Sequence, residues 1–391
     1  MNELYLDIGH ASFHKYGEEL CGDHVETKRQ QEGDAVIVLA DGLGSGVKAS
    51  ILSTLTATIL STMIAGELSV EECVNTMAAT LPVCGERNIA YSTFSILRIR
   101  NFTEVELYQY DNPPASLLRG ASAYDYPVRQ KQAGEKLVSN SRFTLQPEDT
   151  LVLFSDGALY ASESDTLNFG WRQEDIVTLL KKLCKPMRSA KTVSALLLEH
   201  IGLLYGGKPG DDTTVCTVRL RQSLPVNLLI GPPENHAEDA AMLSRFFSQS
   251  GKHIICGGTT AAIAAQHLKQ PLDERCSTQM DETIPPISKL RGADLVTEGA
   301  VTLGRLHAYI EDFLGDNQLY PVWSMQKDGA SLLAWTLLEE ATDLHFFIGT
   351  AENEANRNAA LLSGFPSKAA LLESLMGLLR RAGKRVTAQY F

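Results

Sequence analysis

A chain of 391 residues with 44% apolar and 21% charged residues has ordinary globular usage, and its length points to two or perhaps three domains rather than one core. The net charge of −12 is spread along the chain, which excludes the basic footprint that a nucleic acid or an anionic membrane would require. The seven cysteines are odd in number, scattered and without a C-x-x-C pair, so they read as reduced, mostly buried thiols rather than a metal site. Residues Met1 to Gly9 lack a basic segment followed by an apolar run, and the longest apolar stretch, Ile51–Ala65, is interrupted by Ser and Thr. A cytoplasmic protein without a membrane span is the expectation.

From Tyr5 to Leu220, strand-like runs at Ala35–Ala40, Tyr91–Arg100, Val105–Tyr110, Thr150–Ser155 and Thr213–Leu220 are interleaved with helical stretches at Val47–Ile64, Val70–Leu81 and Glu174–Leu204. Val47, Ile51, Leu55, Ile59 and Met63 form one apolar stripe, with Leu52, Leu60 and Ile64 beside it, so this stripe is expected to lie buried against a sheet. The short Asn-containing turn between the second and third strands suits an antiparallel pair. The mixture reads as α+β, with antiparallel sheets flanked by helices.

Arg221-Gln222-Ser223-Leu224-Pro225 marks a change of character, and the boundary is placed there, at 1–222 and 223–391. Beyond it strands at Val226–Ile230, His253–Cys256, Asp294–Val296 and His345–Ile348 alternate with helices at His236–Gln249 and Thr259–Leu268. This is the pattern of an α/β, Rossmann-like domain with a mostly parallel sheet. Ile230-Gly231-x-x-Glu234-Asn235-x-Ala237 recurs as Ile348-Gly349-x-x-Glu352-Asn353-x-Ala355, with further matches at Ala241/Ala359, Leu243/Leu361 and Phe247/Phe365. Duplication and the general likeness of strand-turn-helix units account for this equally well.

Acidic motifs sit at strand ends in the first half. Val36–Ala40 runs into Asp41-Gly42-Leu43-Gly44-Ser45-Gly46, Leu151–Ser155 runs into Asp156-Gly157, Gly210-Asp211-Asp212-Thr213-Thr214 opens the last strand, and Cys21-Gly22-Asp23 lies ahead of them all. Carboxylates gathered at strand ends repel one another unless a cation compensates, and hard oxygen donors suit Mg²⁺ or Mn²⁺. Each motif alone is weak, because an isolated Asp-Gly is usually a plain turn. Ser155 has no His at a suggestive spacing, so a serine nucleophile is not expected.

The order Gly-Asp, Asp-Gly-x-Gly-x-Gly with an apolar helix, Ser-Asp-Gly and Gly-Asp-Asp-x-Thr-Val resembles the metal-dependent (PPM) protein phosphatases. It is most similar to the branch of stage II sporulation protein E and the RsbU regulators, over about Tyr5 to Leu220. Asp111-Asn112-Pro113-Pro114-Ala115-Ser116-Leu117-Leu118 resembles that branch's Gly-x-Pro-Pro-x-Leu-Leu segment. The resemblance implies an α-β-β-α sandwich and two divalent cations, with Asp41 bridging both. It implies that Asp156 and Asp211 complete one site, that Asp23 and the Gly42 carbonyl complete the other, and that Asp41, Asp156 and Asp211 are the catalytic set. It further implies a phosphorylated protein substrate and a regulatory role for the helix after Asp41. Eukaryotic-type members have a His after Asp-Gly and an upstream Arg. This chain has Leu43 and, nearby, only Lys15, so the phosphate-gripping and proton-donating groups are unassigned.

In the second half Cys256-Gly257-Gly258-Thr259-Thr260 leads from a strand into a helix N-terminus, where Gly257, Gly258, Thr259 and Thr260 form either an anion-binding site or a capped tight turn. A small-molecule or protein effector acting at the C-terminal domain, and a homodimer, are the partners left open besides the substrate. The alternatives are a non-catalytic phosphatase-fold scaffold and a C-terminal half that is a small-molecule enzyme of its own.

Overall fold

The computed structural model describes residues 3–391 except 71, 74–75, 77–91, 121, 134–135, 160, 162–170, 274–286 and 352–363. The chain divides into two compact units, Met1–Gln222 and Ser223–Phe391.

The first unit runs through β1 (Leu4–Phe13), β2 (Asp23–Arg29), β3 (Ala35–Asp41), α1 (Gly46–Ala65), β4 (Thr93–Arg100), β5 (Glu104–Tyr110), β6 (Ser116–Arg119), β7 (Ser122–Ala123), β8 (Arg129–Ala133), β9 (Lys136–Thr144), β10 (Thr150–Phe154), α2 (Gln173–Leu183), α3 (Ala190–Leu204) and β11 (Thr213–Gln222). Two antiparallel sheets result, ordered β1-β11-β10-β6-β7 and β2-β3-β4-β5-β9-β8. Strand alternation sorts their side chains into layers. Ile37 and Leu39 meet Leu97, Leu107, Leu151, Leu153 and Val218 between the sheets, while Val36, Val38 and Ala40 turn the other way, toward Ala57, Leu60 and Ile64 of α1. On the far side Val152, Phe154 and Val215 pack on Ile176 and Leu180 of α2 and Val193, Leu197 and Ile201 of α3. The architecture is the expected α-β-β-α sandwich. Asn101 and Phe102 both adopt positive φ in the turn joining β4 and β5, as a tight hairpin demands.

Two expectations need correction. The helical stretch over 174–204 is two helices, broken between Leu183 and Ala190 where Pro186 lacks the N–H to continue. The face of α1 is also inverted at its first half. Val47, Ile51 and Leu55 are 59%, 54% and 43% exposed, while Ala49, Ser53, Thr56, Ala57, Leu60, Ser61 and Ile64 are buried. The reason lies in the hydroxyls: Ser53 and Ser61 donate to the carbonyls of Ser50 and Thr58 one turn back, and Thr56 donates to Ser92. Satisfied in this way, they pack as small residues and let the helix approach β2 and β3 closely. Among the described residues α1 is also the one helix long and apolar enough to cross a membrane. Most of the stretch expected as helix over Val70–Leu81 lies outside the described residues.

The second unit comprises β12 (Pro225–Ile230), α4 (Asp239–Phe247), β13 (Lys252–Cys256), α5 (Gly258–Leu268), β14 (Leu295–Thr297), α6 (Ala300–Leu314), α7 (Tyr320–Met325), α8 (Gly329–Ala334), β15 (Asp343–Ile348), α9 (Lys368–Arg381) and β16 (Arg385–Tyr390). Its sheet is parallel throughout, in the order β14-β13-β12-β15-β16. Leu229, Ile255, Val296 and Phe347 pack on Met242, Leu243 and Phe246 of α4 and on Ala261 and Ala264 of α5. The helix expected from His236 starts as a 3₁₀ turn, His236–Glu238, before α4 proper. In the repeated motif, Glu352, Asn353, Ala355, Ala359 and Leu361 lie outside the described residues.

The inverted face of α1 makes opposite demands on two substitutions. Ala57→Leu, overfilling a site fully buried against β3, is expected to cost about 1–3 kcal/mol, whereas Ile51→Gln stays within about 0.5 kcal/mol. Urea unfolding of both variants checks this; the reverse ranking would restore the buried stripe read from hydropathy.

Candidate metal centre

The acids of the first unit are placed by strand register. Asp23 opens β2 and Asp41 closes β3, and the two are direct partners in the antiparallel ladder, with the Gly42 N–H donating to the Gly22 carbonyl just beyond. Thr93, the next partner of Asp41 across the sheet, donates to the Asn112 side chain. Gly42 has no room for a side chain, since a Cβ would fall 2.1 Å from the Ala49 carbonyl oxygen of α1. The start of the helix is therefore pressed against the acid-bearing turn.

The other sheet delivers Asp156 and Asp211. Asp156 begins a 3₁₀ turn, Asp156–Ala158, at the end of β10, and Asp211-Asp212 precede β11. The two ends are locked together: the Ser155 N–H donates to the Thr214 carbonyl at 3.0 Å and the Thr214 N–H to the Ser155 hydroxyl at 2.9 Å. Tyr205, the C-cap residue of α3, donates its hydroxyl to the Gly157 carbonyl at 2.8 Å. Gly157 is required here, because a Cβ would meet the Asp212 carbonyl at 2.2 Å. Ser155 is fully buried and engaged with backbone, which is the position of a brace rather than a nucleophile.

Asp23 is 6% exposed, and both its carboxylate oxygens are buried without a hydrogen-bond donor. Asp41 is its direct partner across the ladder, and the two carboxyls repel one another when both are charged. Burial raises the Asp41 carboxyl to about 9, helped by the charges of Asp23, Asp156 and Asp211. Burial likewise raises Asp23 to about 7, with Ser155 and Thr214 pulling the other way and Asp212 and Asp156 adding to the rise. Asp211 is raised by burial and by Asp156, and Lys15 opposes this. Four acids from two sheets thus share one electrostatic neighbourhood. Among the described residues no three Asp, Glu, His or Cys side chains converge on one point as they stand, so a shared ion would draw these carboxylates inward.

Asp212 is a further member that the order of motifs did not single out. It is 4% exposed, one oxygen accepts the Lys15 N–H at 3.0 Å, and the other is buried without a donor. A Cβ on Gly22 would lie 2.6 Å from that oxygen, so Asp212 packs directly behind the turn that carries Asp23. The duplicated acid was the only signal for it. Thr93 and Asn112 had none beyond the proline-rich segment.

The C-terminal candidate is arranged differently. Gly257 has φ 120° and Gly258 begins α5, but the Glu298 carboxylate lies 3.3 Å from where a Gly258 Cβ would be, and Thr260 is buried. This helix end already faces an acid of its own chain.

Residues 31–221 match the family model of stage II sporulation protein E (SpoIIE), and this segment is a SpoIIE PP2C-type phosphatase domain. Similar solved structures include the PP2C phosphatase domain with a regulatory-domain fragment of SpoIIE from Bacillus subtilis, at 20% identity and TM-score 0.46, covering 57% of this chain and 66% of that one. The RsbU and RsbW domains of a Mycobacterium tuberculosis protein align at 18% identity and TM-score 0.47, covering 62% and 68%. The catalytic domain of the phosphatase PstP in complex with two manganese ions aligns at 16% identity and TM-score 0.40, covering 56% and 100%. No curated protein matches the chain.

The raised carboxyls set a pH dependence. An acid that keeps its proton to about 9 when folded but releases it near pH 4 when unfolded makes folding take up a proton between those values. Stability contributed at low pH is then lost as pH rises through the window. In the presence of a chelator, the melting temperature of the N-terminal unit is expected to fall from pH 5 to pH 9, and Asp41→Asn to flatten that slope. Parallel slopes in the two proteins would contradict the assignment.

Proposed function

We propose that the N-terminal unit hydrolyses phosphoserine and phosphothreonine in a bacterial regulatory phosphoprotein. Asp23, Asp41, Asp156 and Asp211, with the Gly42 carbonyl, hold two divalent cations, Mn²⁺ or Mg²⁺, and Asp41, Asp156 and Asp211 form the catalytic set. The observation that carries this reading is the carboxyl cluster itself, in which Asp23 is buried beside its ladder partner Asp41 and the half-buried Asp41, Asp156 and Asp211 act on one another electrostatically. Such a set of hard oxygen donors fits divalent cations, because a cation removes the repulsion that otherwise keeps protons on Asp41 and Asp23. When bound, a pair of divalent cations supplies charge neutralisation at a phosphoryl group and a lowered pKa for an attacking water.

The chain's own residues prepare the site. Asp41 and Asp23 would give up their protons to hold cations, and their ladder register keeps the carboxyls side by side. The Ser155 and Thr214 lock holds the Asp156 turn against the Asp211 loop, so acids from the two sheets keep their spacing. The charge of Lys15 partly offsets the rise at Asp211. The C-terminal unit is assigned a regulatory role, on the support of its separate core and its parallel sheet, an architecture that commonly binds ligands at its strand ends.

Mn²⁺-dependent hydrolysis of p-nitrophenyl phosphate and of a phosphothreonine peptide is the direct test. Asp41→Asn and Asp156→Asn are expected to lower kcat/KM by more than about a hundredfold, exceeding the loss of an outer hydrogen-bond partner such as in Ser155→Ala, about 10- to 100-fold. Full activity in both Asp variants, or abolition by Ser155→Ala alone, would overturn the reading.

A further inference from the structure

β1 and β2 belong to different sheets, so residues 14–22 between them cross from one sheet to the other at the end where the acids lie. This crossing segment is fastened to the loops that carry Asp211 and Asp41. The Lys15 N–H donates to Asp212 at 3.0 Å, and the Tyr16 N–H to the Pro209 carbonyl at 2.8 Å, on the approach to Asp211. At its far end the Gly22 carbonyl accepts from the Gly42 N–H at 3.1 Å, and the chain leads directly into Asp23. A side chain makes the remaining tie: the Ser45 hydroxyl donates to the Glu18 carboxylate at 3.0 Å.

Glu18 thereby occupies the start of α1. Ser45 is the N-cap residue of that helix, yet its side chain makes no capping bond to the backbone, and no acid lies in the first turn. A helix of 20 residues thus begins with orphan N–H groups and the positive end of its dipole, and its own sequence offers neither a cap nor a counter-charge. The carboxylate comes from the crossing segment instead. A Cβ on Gly46, the first helical residue, with φ 70°, would fall 2.3 Å from a Glu18 oxygen. Glu18 is half-buried, and its N–H donates to the Lys15 carbonyl at 3.1 Å across a turn in which Gly17 has φ 90°. That turn holds the backbone from which the carboxylate reaches α1.

The start of α1 in turn backs the acids. The Ala49 carbonyl closes over Gly42, and the Ala49 methyl carbon lies 3.0 Å from where a Gly22 Cβ would be. The first turn of the helix therefore bears on the residue after Asp41 and on the residue before Asp23.

We propose that Glu18 is a positioning residue for the metal centre: its carboxylate holds the start of α1 against the turns that carry Asp41 and Asp23, and so keeps those carboxylates placed to share cations. The inference rests on the cation-binding reading of the acids. An acid within α1 itself would cap the helix without tying it to the segment that delivers Asp23; Glu18 does both.

The test is calorimetric titration of the chelator-treated full chain with Mn²⁺, alongside melting temperatures without metal. Glu18→Ala is expected to weaken Mn²⁺ binding by about tenfold, the low end of the loss for outer partners of metal ligands. Glu18→Gln, whose amide oxygen still accepts from Ser45, is expected to stay within about threefold of the unsubstituted chain, the size of a lost charge at a helix end. Ser45→Ala is expected to weaken binding on its own, and to add less than about twofold in the Glu18→Ala background, because both remove one contact. Ser45→Ala and Glu18→Gln remain informative should Glu18→Ala fail to fold. Unchanged Mn²⁺ affinity in Glu18→Ala, even with a lower melting temperature, would reduce Glu18 to a structural clamp and overturn the proposal. Equal losses in Glu18→Gln and Glu18→Ala, the signature of a direct ligand, would overturn it as well, as would fully additive losses in the double variant. Failure of the unsubstituted chain to bind Mn²⁺ would remove the cation reading and this inference together, whereas binding without hydrolysis of phosphate esters would count against the phosphatase reading alone.

Discussion

The mutual repulsion of carboxylates held at the meeting strand ends of two sheets is the constraint on which the N-terminal unit depends. Asp23 and Asp41 are adjacent because the β2/β3 ladder ends there in exact register, and Asp156 and Asp211 are adjacent because Ser155 and Thr214 tie β10 to β11. Acids so arranged keep protons or gain cations, and the strands that carry them are fixed by the packing of Leu39, Leu153 and Val218 between the sheets. The glycines around them follow from the same pressure. Gly42 yields to Ala49 of α1, and Gly157 to the Asp212 backbone. The core thus maintains an electrostatically costly arrangement, which is the pattern of a site rather than of a stabilising network.

Much of this was legible in the sequence because strand alternation and Asp-Gly punctuation are local signals. The runs ending in Asp41 and Asp156 become β3 and β10, and the parallel sheet of the second unit follows from strands alternating with helices. Register is not local. Nothing in Cys21-Gly22-Asp23 shows that it pairs with Asp41, nor that Thr93, braced by Asn112, is the next partner across the sheet. Asp212 was hidden for a related reason, since its burial behind Gly22 depends on a contact 190 residues distant in sequence.

The misread face of α1 has a different origin. Hydropathy counts Ser53, Thr56 and Ser61 as polar, but in a helix their hydroxyls are satisfied at short range, and small size then decides which side meets the sheet. The aliphatic side chains of Val47, Ile51 and Leu55 are left outside, on the helix that begins directly after the acid-bearing turn. In the second unit, likewise, the glycine repeat was visible but its use was not: Gly231 abuts the Lys368 ammonium, which lies far along the chain from it and donates to the Gly349 carbonyl.

Calorimetric titration of the chelator-treated protein with Mn²⁺ at pH 7, in two buffers of different ionisation enthalpy, tests the central claim most directly. The carboxyls of Asp41 and Asp23, raised by burial and by one another, must ionise as the ions enter. The account predicts two ions per chain with net proton release, and loss of that release in Asp41→Asn. Binding with no proton exchange, or undiminished binding and release in Asp41→Asn, would contradict it.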